Sequence, residues 1–445
     1  MNRRSALPDI NGGMPFPHLP RLIEQDGIIC PEAPSDVYAT GISASVISDI
    51  CLKAAYTVPQ CTSEWVAGQL HLQMPLVDDL LQQMKIEQLV EVLGQLGPFN
   101  HRYAITERGR ERARRLLEVC GYIGPAPVSI DQYTSMLDWQ ISQFPRINLQ
   151  MVRDALEPLV VPEEDLYTAG LAAMSGRSLF LSGPPGNGKT SIARLLHDAV
   201  YGDLWIPFCI GIGNDVIRVY DPQCHELSEM DLSQPWKIDQ RWVRIQRPLI
   251  VAGGEMTIEA LDLSFSPALK FYEAPLHFKS NGGTFVIDDF GRQRVAPSDL
   301  LNRWIIPLEH RIDYMTLHTG LKVQVPFRQL LIVATNLDPN RVMDPAFLRR
   351  MGYRIEIQTP TIERYREIFI RYAKENYDLT PPQPLLERLL DRYKRESREL
   401  RACEPRDLIE RVHDICLLRR EAMDLNDEYL DLAWCGYFGT KRKQI

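Results

Sequence analysis

The chain has 445 residues, 45% hydrophobic and 24% charged, which is the balance of a globular protein able to bury more than one core. A formal net charge of −8 leaves no global positive field to gather nucleic acid or an anionic membrane surface. Nine scattered cysteines with no CxxC pair argue against a disulfide framework or a zinc site, and the adjacent Cys224 and His225 suit no standard metal spacing.

Residues 1–40 are rich in Pro and Gly and read as an extended arm. No apolar segment follows Arg3 and Arg4, and no later run reaches the length of a membrane helix, so a cytoplasmic protein is expected. From Ile42 the pattern turns helical: ISASVISDICLKAAY, SEWVAGQL and PLVDDLLQQM read as three helices. Two strands, QLVEVL and HRYAIT, and the helix ERGRERARRLLEVC come next.

Three helices and a two-stranded ribbon ending in Tyr-x-Ile-Thr-Glu-x-Gly-Arg resemble a winged-helix domain over residues 41–120. Such domains bind DNA through the third helix, yet here that helix carries Asp78 and Asp79. Residues 41–122 hold eight Lys and Arg against nine Asp and Glu. The cluster Arg108, Arg110, Arg112, Arg114 and Arg115 has Glu107, Glu111 and Glu118 within salt-bridging reach. A protein client or adaptor is therefore the expected partner, with nucleic acid disfavoured. Residues 121–149 read as a linker.

RSLFLSGPPGNGKTS is a short apolar strand, a glycine-rich turn and a helix start. Gly183, Pro184, Pro185, Gly186, Asn187, Gly188, Lys189 and Thr190 fit G-x-x-x-x-G-K-[ST] at every defined position, with Ser191 next in the helix. Glycines let backbone amides wrap a phosphate, Lys189 adds charge to the β and γ oxygens, and Thr190 offers a hydroxyl to Mg²⁺. ATP and Mg²⁺ are the expected ligands.

TFVIDDF is an apolar strand ending in two carboxylates, where Asp288 can hold the Mg²⁺ shell and Asp289 can act on the attacking water. QLLIVATN delivers Asn336 to a third strand tip, DPAFLRR follows, and EPRDLIERV lies in a helical C-terminal region. Together, in this order, these motifs resemble an AAA+ ATPase over about residues 150–440. The fold class expected is α/β: a P-loop parallel sheet over 150–360, then a helical lid over 361–445.

The resemblance implies that Asn336 is the sensor 1 residue, that Arg349 or Arg350 is the arginine finger reaching a neighbouring subunit, and that Arg406 is sensor 2 of the lid. It also implies a homo-oligomer, a hexameric ring. One departure is Asp289, where most members of the family have Glu, and it bears on the speed of turnover. Similar Asp-Asp ends occur in replication-initiator ATPases and transposition helpers.

The stretch between Lys189 and Asp288 is longer than a minimal core needs, so an insert is expected at 250–280. RIDYMTLHTGLKVQVP, residues 311–326, reads as a hairpin. These features resemble the branch containing MoxR-type ATPases, in which inserts face the ring's pore; Phe265, Phe271 and Tyr272 are then candidate client contacts, and aromatics of this kind are more often core. The expected function is an ATP-hydrolysing, chaperone-like remodeller of a protein client. The alternatives are an ATP-controlled DNA-binding switch or loader with slow hydrolysis and, less favoured, a nucleotide kinase.

Overall fold

A computed structural model describes residues 16–230, 234–338 and 348–439. Its centre is a five-stranded, all-parallel sheet in the order Leu249–Ala252, Thr284–Ile287, Leu330–Ala334, Leu179–Ser182, Tyr353–Glu356. Its central strands are apolar on both faces, as a sheet covered on both sides requires. Leu179, Leu181, Val286 and Ile332 pack towards the helices Leu149–Leu156, Glu163–Ser175 and Lys189–Leu195. Phe180, Phe285, Ile287 and Val333 pack the other way, against Leu300 and Trp304 of helix Pro297–His310.

Register sets the strand ends level. Ile287 pairs with Val333 and Ala334 with Leu181. The residues just beyond, Asp288, Thr335 and Gly183, therefore emerge along one carboxyl edge, where ligands bind in open α/β sheets.

The insert is larger than expected and differently placed. Leu249–Ala252, inside the expected range, belongs to the central sheet. The added strands are Asp203–Pro207 and Trp242–Gln246, paired with each other, and Cys209–Ile212, Asp215–Arg218, Ser264–Ser266 and Phe271–Glu273. The last four join Val128–Ser129 in a mixed second sheet. The hairpin is formed as expected, by Ile312–Thr316 and Lys322–Pro326. Its inward side chains Met315, Leu317, Val323 and Val325 are buried against this second sheet. Tyr272, 1% exposed, and Phe271, 8% exposed, are core residues here, and half-buried Phe265 stacks on His318 at 4.6 Å. Adjacent in one strand, Phe271 and Tyr272 point to opposite faces, Phe271 into the core shared with residues 41–119 and Tyr272, with Phe265, into the core under the hairpin; both faces are covered, which corrects their reading as client contacts.

Residues 41–119 form helices Ala44–Tyr56, Ser63–Leu70 and Met74–Ile86, a three-stranded antiparallel sheet of Gln60–Thr62, Asn100–Ile105 and Val90–Gly97, and helix Glu107–Val119. Thr62 and Thr106 cap the second and last of these helices through hydrogen bonds from Trp65 N and Gly109 N.

Two expected spacers are structured. In the arm, residues 1–15 lie outside the described residues, but Leu22–Gln25 and Ile28–Pro31 pair as a hairpin, Cys30 is buried, and the Trp205 indole donates to Ile29 O at 3.1 Å. In the linker, Ser129 caps helix Ile130–Gln143, whose Tyr133, Met136 and Leu137 are buried. The Pro-rich run before it hid an amphipathic helix behind turn-like composition. The lid consists of helices Ile362–Tyr377, Gln383–Arg395, Glu404–Arg419 and Asp427–Phe438 around Phe369, Leu389, Val412 and Trp434. Residues 440–445 lie outside the described residues.

Candidate functional site

The phosphate loop leaves the strand Leu179–Ser182 with Gly183, Gly186 and Gly188 all at positive φ. At Gly183 the demand is also spatial, since a Cβ would stand 2.0 Å from Ile357 O. Lys189 is buried, and its Nζ donates to Gly183 O at 2.8 Å and Pro184 O at 2.7 Å. Burial lowers its pKa, and Asp288 and Asp289 oppose that shift.

The two carboxylates divide their work by geometry. Asp288 accepts the Thr190 hydroxyl at 2.9 and 3.1 Å and braces Asp289 N at 2.9 Å. Asp289 sits at φ +48°, a region costly for a non-glycine residue, and accepts from Asn336 Nδ2 at 2.6 Å. Gln293 holds the turn, donating to Asp288 O at 2.9 Å and accepting from Gly291 N at 2.8 Å. Thr335 Oγ1 ties the two strand ends by donating to Phe290 O at 2.7 Å.

These residues line one cleft of about 550 Å³ between sheet and lid. Pro185 to Ile192, Asp288, Asp289, Asn336 and Arg406 all belong to its wall. Arg406 donates to Asp407 at 3.0 Å, which raises its pKa. The lid is joined to the loop directly: Cys403 N donates to Gly186 O at 2.9 Å, and Ala402 N to Asn187 Oδ1 at 3.1 Å. Arg371 adds an ion pair to Glu157.

Arg349 and Arg350 are not brought to this cleft. Arg349 is exposed, and Arg350 pairs with Glu309 at 2.5 Å. The Asp344–Phe347 part of their motif lies outside the described residues.

Thr190 and Asp288 supply hard oxygen donors beside the loop, a set that fits Mg²⁺, which binds through few protein ligands and keeps waters and phosphate oxygens. Among the described residues no cluster of three or more His, Cys, Asp or Glu could hold a metal unaided. Beside Cys224, both ring nitrogens of His225 are engaged: Nδ1 accepts from Asp221 N and Nε2 meets Lys279 O.

Residues 178–351 match the family model of the AAA domain, dynein-related subfamily. Residues 178–351 have the fold of an AAA domain. The parallel order of the AAA domain's sheet and the P-loop at its edge agree with that match. The lid that follows matches, over residues 361–435, a domain of unknown function, DUF8689. No curated protein matches the chain significantly.

Among solved structures, two single-residue variants of Thermotoga maritima RuvB are similar, both at a TM-score of 0.35. They are 14% and 16% identical, covering 68% and 65% of this chain and 73% and 71% of theirs. NtrX from Brucella abortus in complex with ADP is 13% identical at a TM-score of 0.35, covering 64% of this chain and 54% of its own. Likenesses this loose carry no argument about the AAA domain's substrate or assembly.

Several wall residues of the AAA domain's cleft escaped sequence reading. Leu159, Val160 and Val161 form an apolar shelf before helix Glu163–Ser175, and Arg364 and Tyr372 face it from the lid. The Pro-bounded run PLVVP was a usable signal for the shelf. Nothing in the sequence around Arg364 or Tyr372 distinguishes them from other lid-helix residues.

Proposed function

We propose that the chain is a Mg²⁺-dependent ATP hydrolase that works as a homo-oligomeric, hexameric ring and remodels a protein client. The observation that carries the hydrolytic reading is the pairing of Thr190 with Asp288 and of Asn336 with Asp289 at one sheet edge beside Lys189. Lys189 binds the β and γ oxygens, and Thr190 with Asp288 holds Mg²⁺. The ion, when bound, neutralises charge developing on the phosphate oxygens. Asp289 orients the attacking water and accepts its proton, and Asn336 keeps that carboxylate turned to the cleft. Arg406 meets the nucleotide from the lid. Arg349 or Arg350 completes a neighbouring subunit's site, a role that the off-cleft position of both and the exposure of Arg349 suit.

The client reading rests on residues 41–119, whose order of three helices and a two-stranded ribbon supports a winged-helix reading. Asp78 does not add to its surface charge, since it is buried and accepts from Ser63 Oγ at 2.7 Å and Tyr103 OH at 3.0 Å. Nucleic acid is still disfavoured, because three of the five helical arginines have close partners: Arg112 with Asp49 and Glu87, Arg115 with Glu111, Arg114 with Tyr56. The ribbon exposes Leu93, Leu96 and Phe99, apolar side chains suited to a protein. The hairpin before the sensor strand supports the likeness to the MoxR-type branch.

Steady-state ATPase activity measured across protein concentration tests the reading. Specific activity is expected to rise with concentration, and Arg349→Ala with Arg350→Ala to abolish that rise while ATP still binds. A wild type that binds ATP yet turns it over negligibly at every concentration would favour a nucleotide switch instead.

A further inference from the structure

Asn187 stands in the phosphate loop, is 6% exposed, and lines the cleft with Lys189, Asp288 and the lid residues Ala402, Cys403 and Arg406. Its carboxamide is used on one side only. Oδ1 accepts the Ala402 N–H at 3.1 Å, whereas Nδ2 is buried with no hydrogen-bond partner among the described residues. A buried donor left unpaired is costly, and a site that retains one commonly has a ligand for it.

The neighbouring geometry makes this amide a joint between two bodies. The next lid residue, Cys403, donates its N–H to Gly186 O at 2.9 Å, and a Cβ on Gly186 would meet Cys403 Sγ at 2.9 Å. Helix Glu404–Arg419, which carries Arg406, begins at the following residue. A shift of the loop at Asn187 must therefore be felt at the start of that helix.

Resting on the ATP-binding reading above, we propose that Asn187 couples the lid to the nucleotide: Oδ1 holds the lid backbone while Nδ2 donates to a phosphate oxygen of the bound nucleoside triphosphate. The phosphate is the right class of acceptor, because it is anionic and rich in lone pairs. Asn187 is thus a binding and positioning residue, and the proton-transfer step stays with Asp289.

Two variants separate the two halves of the amide. Asn187→Asp keeps an acceptor for Ala402 N–H and loses the donor, whereas Asn187→Ala loses both. ATP Kd would be measured by calorimetry with Mg²⁺ present, and hydrogen exchange of the peptide containing Ala402 and Cys403 followed with and without ATP. Thermal melts of each variant would confirm that it is folded.

In the wild type, ATP is expected to slow exchange at 402–403. Asn187→Asp should keep wild-type exchange without nucleotide but bind ATP about 10-fold or more weakly. Asn187→Ala should weaken binding similarly and exchange faster at 402–403 even without nucleotide. Wild-type Kd in both variants, with an unchanged exchange response, would overturn the coupling while leaving the ATP-binding reading intact. A wild type that does not bind ATP, or binds no better than Lys189→Ala, would overturn both.

Discussion

Asp289 shows how much a single side chain depends on its surroundings. Aspartate is a methylene shorter than the glutamate most common at this position in the family it resembles, and here the backbone turns to φ +48° while Asn336 grips the carboxylate at 2.6 Å. The strained backbone and the amide together aim a short acid. Asp289→Asn is expected to lower ATP turnover by about 10²- to 10⁴-fold with ATP affinity nearly unchanged. Single-turnover hydrolysis beside equilibrium binding would check it, and equal losses in both would show that Asp289 serves binding. Both acids and Asn336 were legible in sequence, because an apolar strand ending in a polar residue is a local pattern. Gln293 was not, since its role depends on a turn that brings it back to Asp288 O.

The phosphate loop and the hairpin carry the element-scale predictions. Gly183 and Gly188 both adopt positive φ, but only Gly183 is crowded, by Ile357 O of the last core strand's end. Gly183→Ala is expected to destabilise by more than about 2 kcal/mol, and Gly188→Ala, with open space around its Cβ, by about 1 kcal/mol. Urea midpoints would rank them, and equal costs would mean that backbone strain alone governs the loop. At the hairpin, Asp313 is buried and takes His277 Nε2 at 2.8 Å together with the Arg303 guanidinium. Burial pushes the Asp313 carboxyl up, but the bonds from His277 and Arg303 outweigh that and hold it below the usual carboxylate range.

Burial lowers His277, and likewise His197 and His225, below their ordinary value of 6.5. With the folded pKa below the unfolded one, the unfolded chain binds more protons as pH falls through 6.5, and stability falls with it. Each should add up to about 1.4 kcal/mol per pH unit to that slope, with the Asp313 contribution lost only at lower pH. The fall in stability from pH 7.5 to 5.5 should be shallower in His277→Gln; an unchanged slope would show that burial does not lower the His277 pKa in the fold.

At the scale of the whole molecule, the N-terminal module is built into the insert. Cys209, Val216 and Phe271 share one core with Ile47, Leu70 and Tyr103 of residues 41–119. Tyr122 meets Phe271 edge-on at 5.5 Å, and Lys270 Nζ donates to Glu118 O at 2.6 Å. Arg241, 2% exposed and paired with Asp239, reaches Thr40 O at 2.9 Å and Pro127 O at 3.1 Å. A recruiting domain on a flexible tether would show none of this. Deletion of residues 1–126 is therefore expected to bare Phe271 and Val216 and yield protein that aggregates or binds hydrophobic dye. Limited proteolysis of the intact chain should find no cut within Ile130–Gln143. A soluble, cooperatively folding deletion product would restore the tethered reading.

The sequence by itself determined what short-range pattern can carry: the phosphate loop, the acidic and sensor strands, the helices of residues 41–119 and the hairpin. Each rests on spacing within a few turns of chain, where local sterics and periodicity decide the outcome. Tertiary structure alone decided that Arg349 and Arg350 stand off the cleft and that Phe271 and Tyr272 face inward. It also decided that the apparent arm and linker are load-carrying parts of the core, and that Asn187 joins loop to lid. Those outcomes depend on which distant surfaces meet, and a Pro-rich stretch or an aromatic side chain reads the same in sequence whether or not another element covers it.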